Sequence, residues 1–85
     1  MEAITGRIVR SRAGRDKGNF LVVIKTDGDF VFVADGKERK LASPKKKRIK
    51  HVSFTNTVID TESITDKKLR SVIAEFTKAP DNQLT

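Results

Sequence analysis

The stretch that decides the fold is FLVVIKTDGDFVFVA, residues 20–34. Its two ends, FLVVI and FVFVA, are continuous apolar runs rich in β-branched and aromatic residues, and they predict two largely buried β-strands. The segment between them contains Asp27-Gly28, and an Asp-Gly pair readily supplies the positive backbone φ angles of a tight hairpin turn. The sequence therefore predicts an antiparallel hairpin.

Three further short strands are predicted around this hairpin. Apolar residues between polar ones predict a half-buried strand in residues 4–12, and alternation predicts the last strand in residues 49–54. A second glycine turn, DGK, precedes a short strand at residues 38–42, which ends before Pro44. Five short strands joined by tight turns predict a small, closed or nearly closed antiparallel β-barrel, because closure removes exposed strand edges.

The chain changes character after Phe54. Thr65 occupies the position of a helix N-cap, and Asp66 follows it at the positive end of the helix dipole. Pro80 is expected to end the helix. One apolar stripe follows helical spacing and is formed by Leu69, Val72, Ile73 and Phe76. We expect this stripe to pack on the barrel, and a docking surface for another protein is the alternative.

Charge divides the chain into two parts. The 85 residues include 18 Lys/Arg, 11 Asp/Glu, one His and no Cys, for a net charge of +7. Residues 1–54 hold 14 basic and 6 acidic residues (+8), whereas residues 55–85 hold 4 and 5 (−1). We therefore expect a basic barrel in the first part and a linker with a C-terminal helix in the second. The asymmetry predicts a polyanionic partner for the barrel, and a solvated basic face is the alternative.

The most highly charged turn, SRAGRDKGNF, joins the first two predicted strands. Gly14 and Gly18 permit positive φ angles and a close approach of the backbone to a ligand. Arg12, Arg15 and Lys17 surround these glycines, and free backbone N–H groups in such a loop can donate to phosphate. The composition predicts a polyanion-binding loop, and a hairpin turn whose charges only contact water is the alternative.

A second basic cluster follows Pro44. Lysine is a compact point charge that suits phosphate contacts, whereas arginine can also stack on bases or hydrogen-bond guanine edges. A lysine-rich cluster therefore predicts binding to a nucleic-acid backbone with modest sequence preference, and a run that only aids solubility is the alternative. The predicted contacts are Lys45, Lys46, Lys47, Arg48 and Lys50, extended by Lys37, Arg39 and Lys40.

The run GRIVRSRAGRDKGNFLVVIK, residues 6–25, resembles a KOW motif, in which two strands flank a basic loop with a glycine in the position of Gly18. Together with ADGK at residues 34–37 and PKKK at residues 44–47, it is similar to the L-fourteen-e family of ribosomal large-subunit proteins. The same run is also similar to one found in small bacterial KOW-domain RNA-binding proteins. The resemblance covers residues 5–54. It implies an SH3-like barrel, binding to ribosomal RNA of the large subunit and contacts with ribosomal proteins.

These observations favour one function over two others. We expect the chain to bind structured RNA, ribosomal RNA foremost, through phosphates and sugar edges, because the major groove of A-form RNA is too narrow for side-chain readout. A protein-interaction module of the NusG kind, docking on the transcription or translation machinery, is the alternative. Binding to an anionic membrane is less favoured, since the predicted helix lacks a basic face opposite large apolar residues. We expect a monomer when free.

Catalytic and metal-binding roles find little support in the sequence. Aspartates beside turn glycines serve turn geometry, and His51 stands without other metal ligands, so we expect no enzyme activity and no cofactor. Phe20, Phe30 and Phe32 are predicted to be core residues, although an exposed phenylalanine could stack on a base. The sequence has neither an apolar signal region nor a membrane-spanning run, and a cytoplasmic protein is therefore expected.

Overall fold

The computed structural model describes residues 3–78 and contains five β-strands followed by one α-helix. The predicted mainly-β class with a C-terminal helix is confirmed. The last strand continues past Phe54, where the composition changes. The strands are β1 (Arg7–Ser11), β2 (Phe20–Asp27), β3 (Phe30–Ala34), β4 (Lys45–Arg48) and β5 (Val52–Val58). A 3₁₀ turn (Ile49–His51) joins β4 to β5, and the helix is α1 (Asp66–Lys78).

The five strands form one antiparallel sheet in the order β4-β3-β2-β1-β5. The predicted hairpin is confirmed, because β2 and β3 are joined by a two-residue turn in which Gly28 has a φ of +59°. Within this hairpin a bulge at Ile24 shifts the register. Beyond the bulge, Lys25 pairs with Phe32 and their side chains share one face of the sheet.

The prediction of a strand at residues 38–42 is wrong. The carboxylate of Asp35 accepts hydrogen bonds from the backbone N–H groups of Lys37 (2.8 Å) and Arg39 (2.9 Å), so this segment folds into a compact loop. The fourth strand instead consists of Lys45–Arg48, which pairs with β3. The lysine run contains no apolar residue, and its strand conformation depends on pairing with a partner that is distant in the sequence.

The sheet curls without closing. Among residues 3–78, no ladder joins β4 to β5, so of the closed or nearly closed barrel that the sequence predicts, the fully closed form is excluded and the sheet is open. In a flat sheet these two edge strands would lie about 19 Å apart. The three-residue connection from Arg48 to Val52 spans at most about 15 Å, so the two edges must bend toward each other. A small SH3-like fold is compatible with this curvature.

A second bulge lies in the pairing of β1 with β5, where the register shifts between Arg7 and Val9. The buried hydroxyl of Thr55 donates a hydrogen bond to the carbonyl of Ile8 (2.7 Å) at this point and accepts one from the N–H of Thr57 (3.2 Å). The hydroxyl therefore pairs with backbone groups where the ladder is interrupted.

Both faces of the curved sheet bury apolar side chains. The concave face carries the inner cluster of Val9, Leu21, Val23, Val31, Val33 and Val52. The convex, or outer, face carries Ile8, Val22 and Ala34, which pack around Leu69 of α1. The helix thus covers part of the outer face of the sheet.

Helix α1 begins where the sequence predicts. The hydroxyl of Thr65 accepts a hydrogen bond from the N–H of Lys68 (3.1 Å), as an N-cap does. Leu69 is fully buried, and Phe76 packs edge-to-face against Phe20 of β2 with ring centroids 5.1 Å apart. Leu69, Ile73 and Phe76 of the predicted stripe therefore lie against the sheet. The predicted end of the helix at Pro80 lies outside the described residues.

Candidate nucleic-acid interface

The glycine loop between β1 and β2 is held by its own backbone. Gly14 and Gly18 have φ angles of +85° and +91°, which confirms the predicted positive φ at both positions. The N–H of Gly18 donates to the carbonyl of Ser11 (2.8 Å), that of Lys17 to Gly14 (3.2 Å), and that of Asn19 to Asp16 (2.9 Å). These three N–H groups are satisfied inside the loop and are therefore not free to donate to phosphate.

A buried ion pair ties this loop to β4. The ammonium of Lys47 lies 3.0 Å from Oδ1 of Asp16 and also donates to the carbonyl of Ala13 (3.0 Å). The Lys47 and Asp16 side chains are only 6% and 13% exposed. The hydroxyl of Ser11 lies 2.7 Å from the same carboxylate oxygen. The ion pair therefore fixes the glycine loop to β4, although 31 residues separate Asp16 from Lys47.

The pKa of Asp16 reflects this environment. Burial alone would raise the pKa, because it disfavours the charged carboxylate. The hydrogen bonds from Ser11 and Lys47, together with the positive charge of Lys47, outweigh burial and hold the pKa below its ordinary value. Asp16 therefore remains ionised and neutralises Lys47. The charge of Lys47 is thus not available to a ligand.

The structure brings three exposed cations together beside the glycine loop. Arg10, Arg12 and Lys17 line a depression of about 390 Å³, which we call the loop groove, together with Ser11, Gly18 and Ser53. No carboxylate lies among these lining residues. The Nε of Arg10 donates to the carbonyl of Gly18 (3.1 Å), which fixes the position of its guanidinium group. The loop groove is therefore a concave surface of purely positive charge.

Sequence reasoning missed Arg10. This residue lies in β1, where it pairs with Phe20 of β2, and the interpretation of its strand rested on the apolar residues alone. Its position one residue before the strand ends was the available signal, because side chains at a strand end lie beside the following loop. Arg10 also lies 5.7 Å from the Phe20 ring centroid, a distance typical of a cation–π contact.

A larger depression of about 620 Å³ continues from the loop groove toward α1 and shares Arg10 and Gly18 with it. Of the extending cations that the sequence predicts, Lys37 lies here. Asp35 and Glu38 line the same depression, so its charge is mixed. The loop groove therefore remains the more favourable of the two depressions for an anion.

A second basic surface lies on the outer face of β3 and β4, and we call it the aromatic platform. Lys46 Nζ lies 4.3 Å from the Phe30 ring centroid and 6.0 Å from that of Phe32. The Arg48 guanidinium lies 5.1 Å from Phe30, and Lys25 Nζ lies 5.6 Å from Phe32. Phe30 and Phe32 are half-buried and belong to neither apolar cluster, so their predicted place in the core is wrong.

The remaining predicted contacts are spread around these two surfaces. Arg15 is exposed on the glycine loop, and Lys45 is half-buried at the start of β4. Lys50 lines a depression of about 410 Å³ together with Asp29 and Arg48. In the compact loop after β3, Lys40 is exposed and Arg39 is half-buried. Gly14 lies beside the ion pair, where an added Cβ would sit 3.7 Å from Lys47 Nζ.

Comparison with known proteins adds no assignment, because no protein-family model and no curated protein sequence matches this chain. Within residues 3–78, no helix is both long enough and apolar enough to cross a membrane. The same residues contain no group of three or more His, Cys, Asp or Glu side chains placed to hold a metal ion.

Proposed function

We propose that this protein binds structured RNA, ribosomal RNA foremost, by contacting its sugar–phosphate backbone. The observation that carries the proposal is the loop groove, in which Arg10, Arg12 and Lys17 meet without an opposing carboxylate. Phosphate contacts supply most of the affinity of such a surface and position the protein without reading sequence. The resemblance of residues 5–54 to ribosomal KOW proteins supports the same function.

The shape of the loop groove supports backbone binding. Gly18 has no side chain and lines the depression between the cations, so the sugar–phosphate backbone could approach the protein main chain closely. The tie between Asp16 and Lys47 holds the loop in place before a ligand arrives. A preorganised loop loses less conformational entropy on binding than a flexible one, which favours affinity.

The test is a titration of the full chain with a structured ribosomal RNA fragment at several salt concentrations. Replacing both Arg12 and Lys17 with alanine should weaken binding by about 1–3 kcal/mol and reduce the salt slope by at most about two counterions. The matched control replaces Lys67 and Lys68 of α1, two exposed cations outside the groove, and removes the same charge. The control should retain most of the affinity.

Equal losses in the two variants would show that net charge alone, rather than the loop groove, drives binding. A wild-type chain without measurable RNA affinity at low salt would contradict the proposal and favour the protein-interaction module. Sedimentation of cell lysate on a sucrose gradient at low and high salt would then show whether the chain travels with ribosomes, with RNA polymerase or alone.

A further inference from the structure

The outer face of the sheet is divided along its strands. Up to the bulge in β2, it is covered by α1, which packs on Ile8, Val22 and Ala34. Beyond the bulge, the aromatic platform begins, and neither Phe30 nor Phe32 belongs to the cluster under the helix. Two aromatic side chains are thus left half-buried on the part of this face that the helix does not cover.

The pairing of the strands explains why cations surround these rings. Phe30 lies opposite Arg48 on β4, and Phe32 lies between Lys46 on β4 and Lys25 on β2. Directly opposite residues of antiparallel strands project on the same face. Asp27, opposite Phe30 on β2, is the single carboxylate among these paired residues, so the platform carries three positive charges against one negative charge.

We infer that the aromatic platform stacks one or two unpaired bases of RNA, with its cations contacting the adjoining phosphates. This inference rests on the proposed function and names the part of an RNA that this second surface takes. Phosphate binding alone requires no aromatic residue, whereas sheets that bind single strands combine exposed rings with positive charge. Alternate residues of a strand lie about 6.8 Å apart, which limits the platform to neighbouring nucleotides.

The cations now lying over the rings are compatible with such a ligand. Lys46 and Arg48 are exposed, and an ammonium over a solvated ring is held only weakly. Stacking of a base on the ring is the stronger interaction, and a displaced ammonium or guanidinium can move to the phosphate of the same nucleotide. The platform therefore exchanges a weak internal contact for two contacts with the ligand.

The experiment compares a single-stranded oligouridylate with an RNA duplex that has the same number of phosphates. Replacing both Phe30 and Phe32 with leucine keeps the platform apolar and removes its rings. This variant should lose about fivefold to a hundredfold in affinity for the single strand and little for the duplex. The matched control, with tyrosine at both positions, keeps the rings and should stay within about threefold of the wild type.

A spectroscopic readout keeps the test decisive if the leucine variant unfolds. The chain contains no Trp and no Tyr, so tryptophan introduced as Phe32→Trp would be its one strong fluorophore. Stacking on a base should quench this fluorescence when oligouridylate is added, and duplex RNA should have little effect. Unquenched fluorescence at saturating oligouridylate would overturn the inference.

The outcomes separate the two proposals. If the wild type binds single-stranded and duplex RNA equally and the leucine variant is unchanged, the platform inference fails while the proposed function stands. If the wild type binds neither RNA, both fail. If the leucine variant binds RNA normally but loses a purified protein partner, the platform belongs to a protein interface and the inference is overturned.

Discussion

The two basic surfaces differ in what lies beneath their cations. In the loop groove, Arg12 and Lys17 surround backbone, and the glycine at its floor leaves room for a ligand to reach the main chain. In the aromatic platform, Lys46 and Arg48 lie over phenylalanine rings. The same charge is thus combined with polar backbone in one place and with aromatic surface in the other. A surface of the first kind suits phosphates, and one of the second kind suits bases with their phosphates.

Lys47 links the two surfaces, because its backbone belongs to β4 and its ammonium lies under the glycine loop. Replacing it with alanine should destabilise the fold by about 3 kcal/mol, since the largely buried Asp16 loses its counter-charge. Replacing its exposed neighbour Lys46 with alanine should change stability by no more than about 0.5 kcal/mol. Chemical denaturation of both variants measures the difference, and equal stabilities would show that the ion pair does not hold the loop.

A pair of glycine variants tests whether the backbone shape of the loop groove matters for binding. Gly18→Val and Gly28→Val both force a β-branched residue into a positive φ, and neither added Cβ meets backbone atoms within 4 Å. Each should cost about 1–3 kcal/mol of stability. Only the Gly18 variant should also lose affinity for duplex RNA, to which the aromatic platform contributes little, and the loss should persist at low salt, where stronger attraction cannot restore the loop.

Measurements of folding by circular dichroism and of RNA binding at two salt concentrations separate these effects. A Gly18→Val variant that regains full affinity at low salt would show that only charge, and not the shape of the loop, contributes to binding.

The smallest expected effect is a response of the loop groove to acid. Because the folded pKa of Asp16 lies below its ordinary value, the ionised carboxylate adds stability above that ordinary value, near pH 4. This contribution is lost as the pH falls further and Asp16 becomes protonated. The protection of amides against hydrogen exchange, measured relative to their intrinsic rates at each pH, should then fall in the glycine loop before it does in the β2–β3 hairpin. An Asp16→Asn variant should remove the difference, and a simultaneous loss of protection in both regions would contradict the prediction.

Local sequence signals predicted the elements that local interactions form. The Asp27-Gly28 turn between two β-branched runs and the capping position of Thr65 both depend on neighbouring residues, and both occur in the structure. The β4 strand could not be predicted in this way, because the run KKKR becomes a strand only by pairing with β3. The inward direction of Lys47 likewise depends on Asp16, which is distant along the chain.

The aromatic platform was partly visible in the sequence. Phenylalanine and valine alternate in β3, and the structure buries Val31 and Val33 fully while Phe30 and Phe32 are only half-buried. Since the whole run is apolar, the sequence predicts a strand buried on both faces. How much of the sheet α1 covers depends on the way the helix docks, and no local sequence signal shows that.

The open seam between β4 and β5 leaves two strand edges that could pair with another molecule of the same protein. Each edge carries a feature that opposes such pairing. The β4 edge consists entirely of Lys and Arg, so two copies brought edge to edge would repel each other. The β5 edge has a bulge near Thr55, which breaks the regular spacing that a new strand would need. Lys45, Lys46 and Arg48, whose charges Asp16 does not neutralise, therefore oppose edge-to-edge aggregation of the free protein.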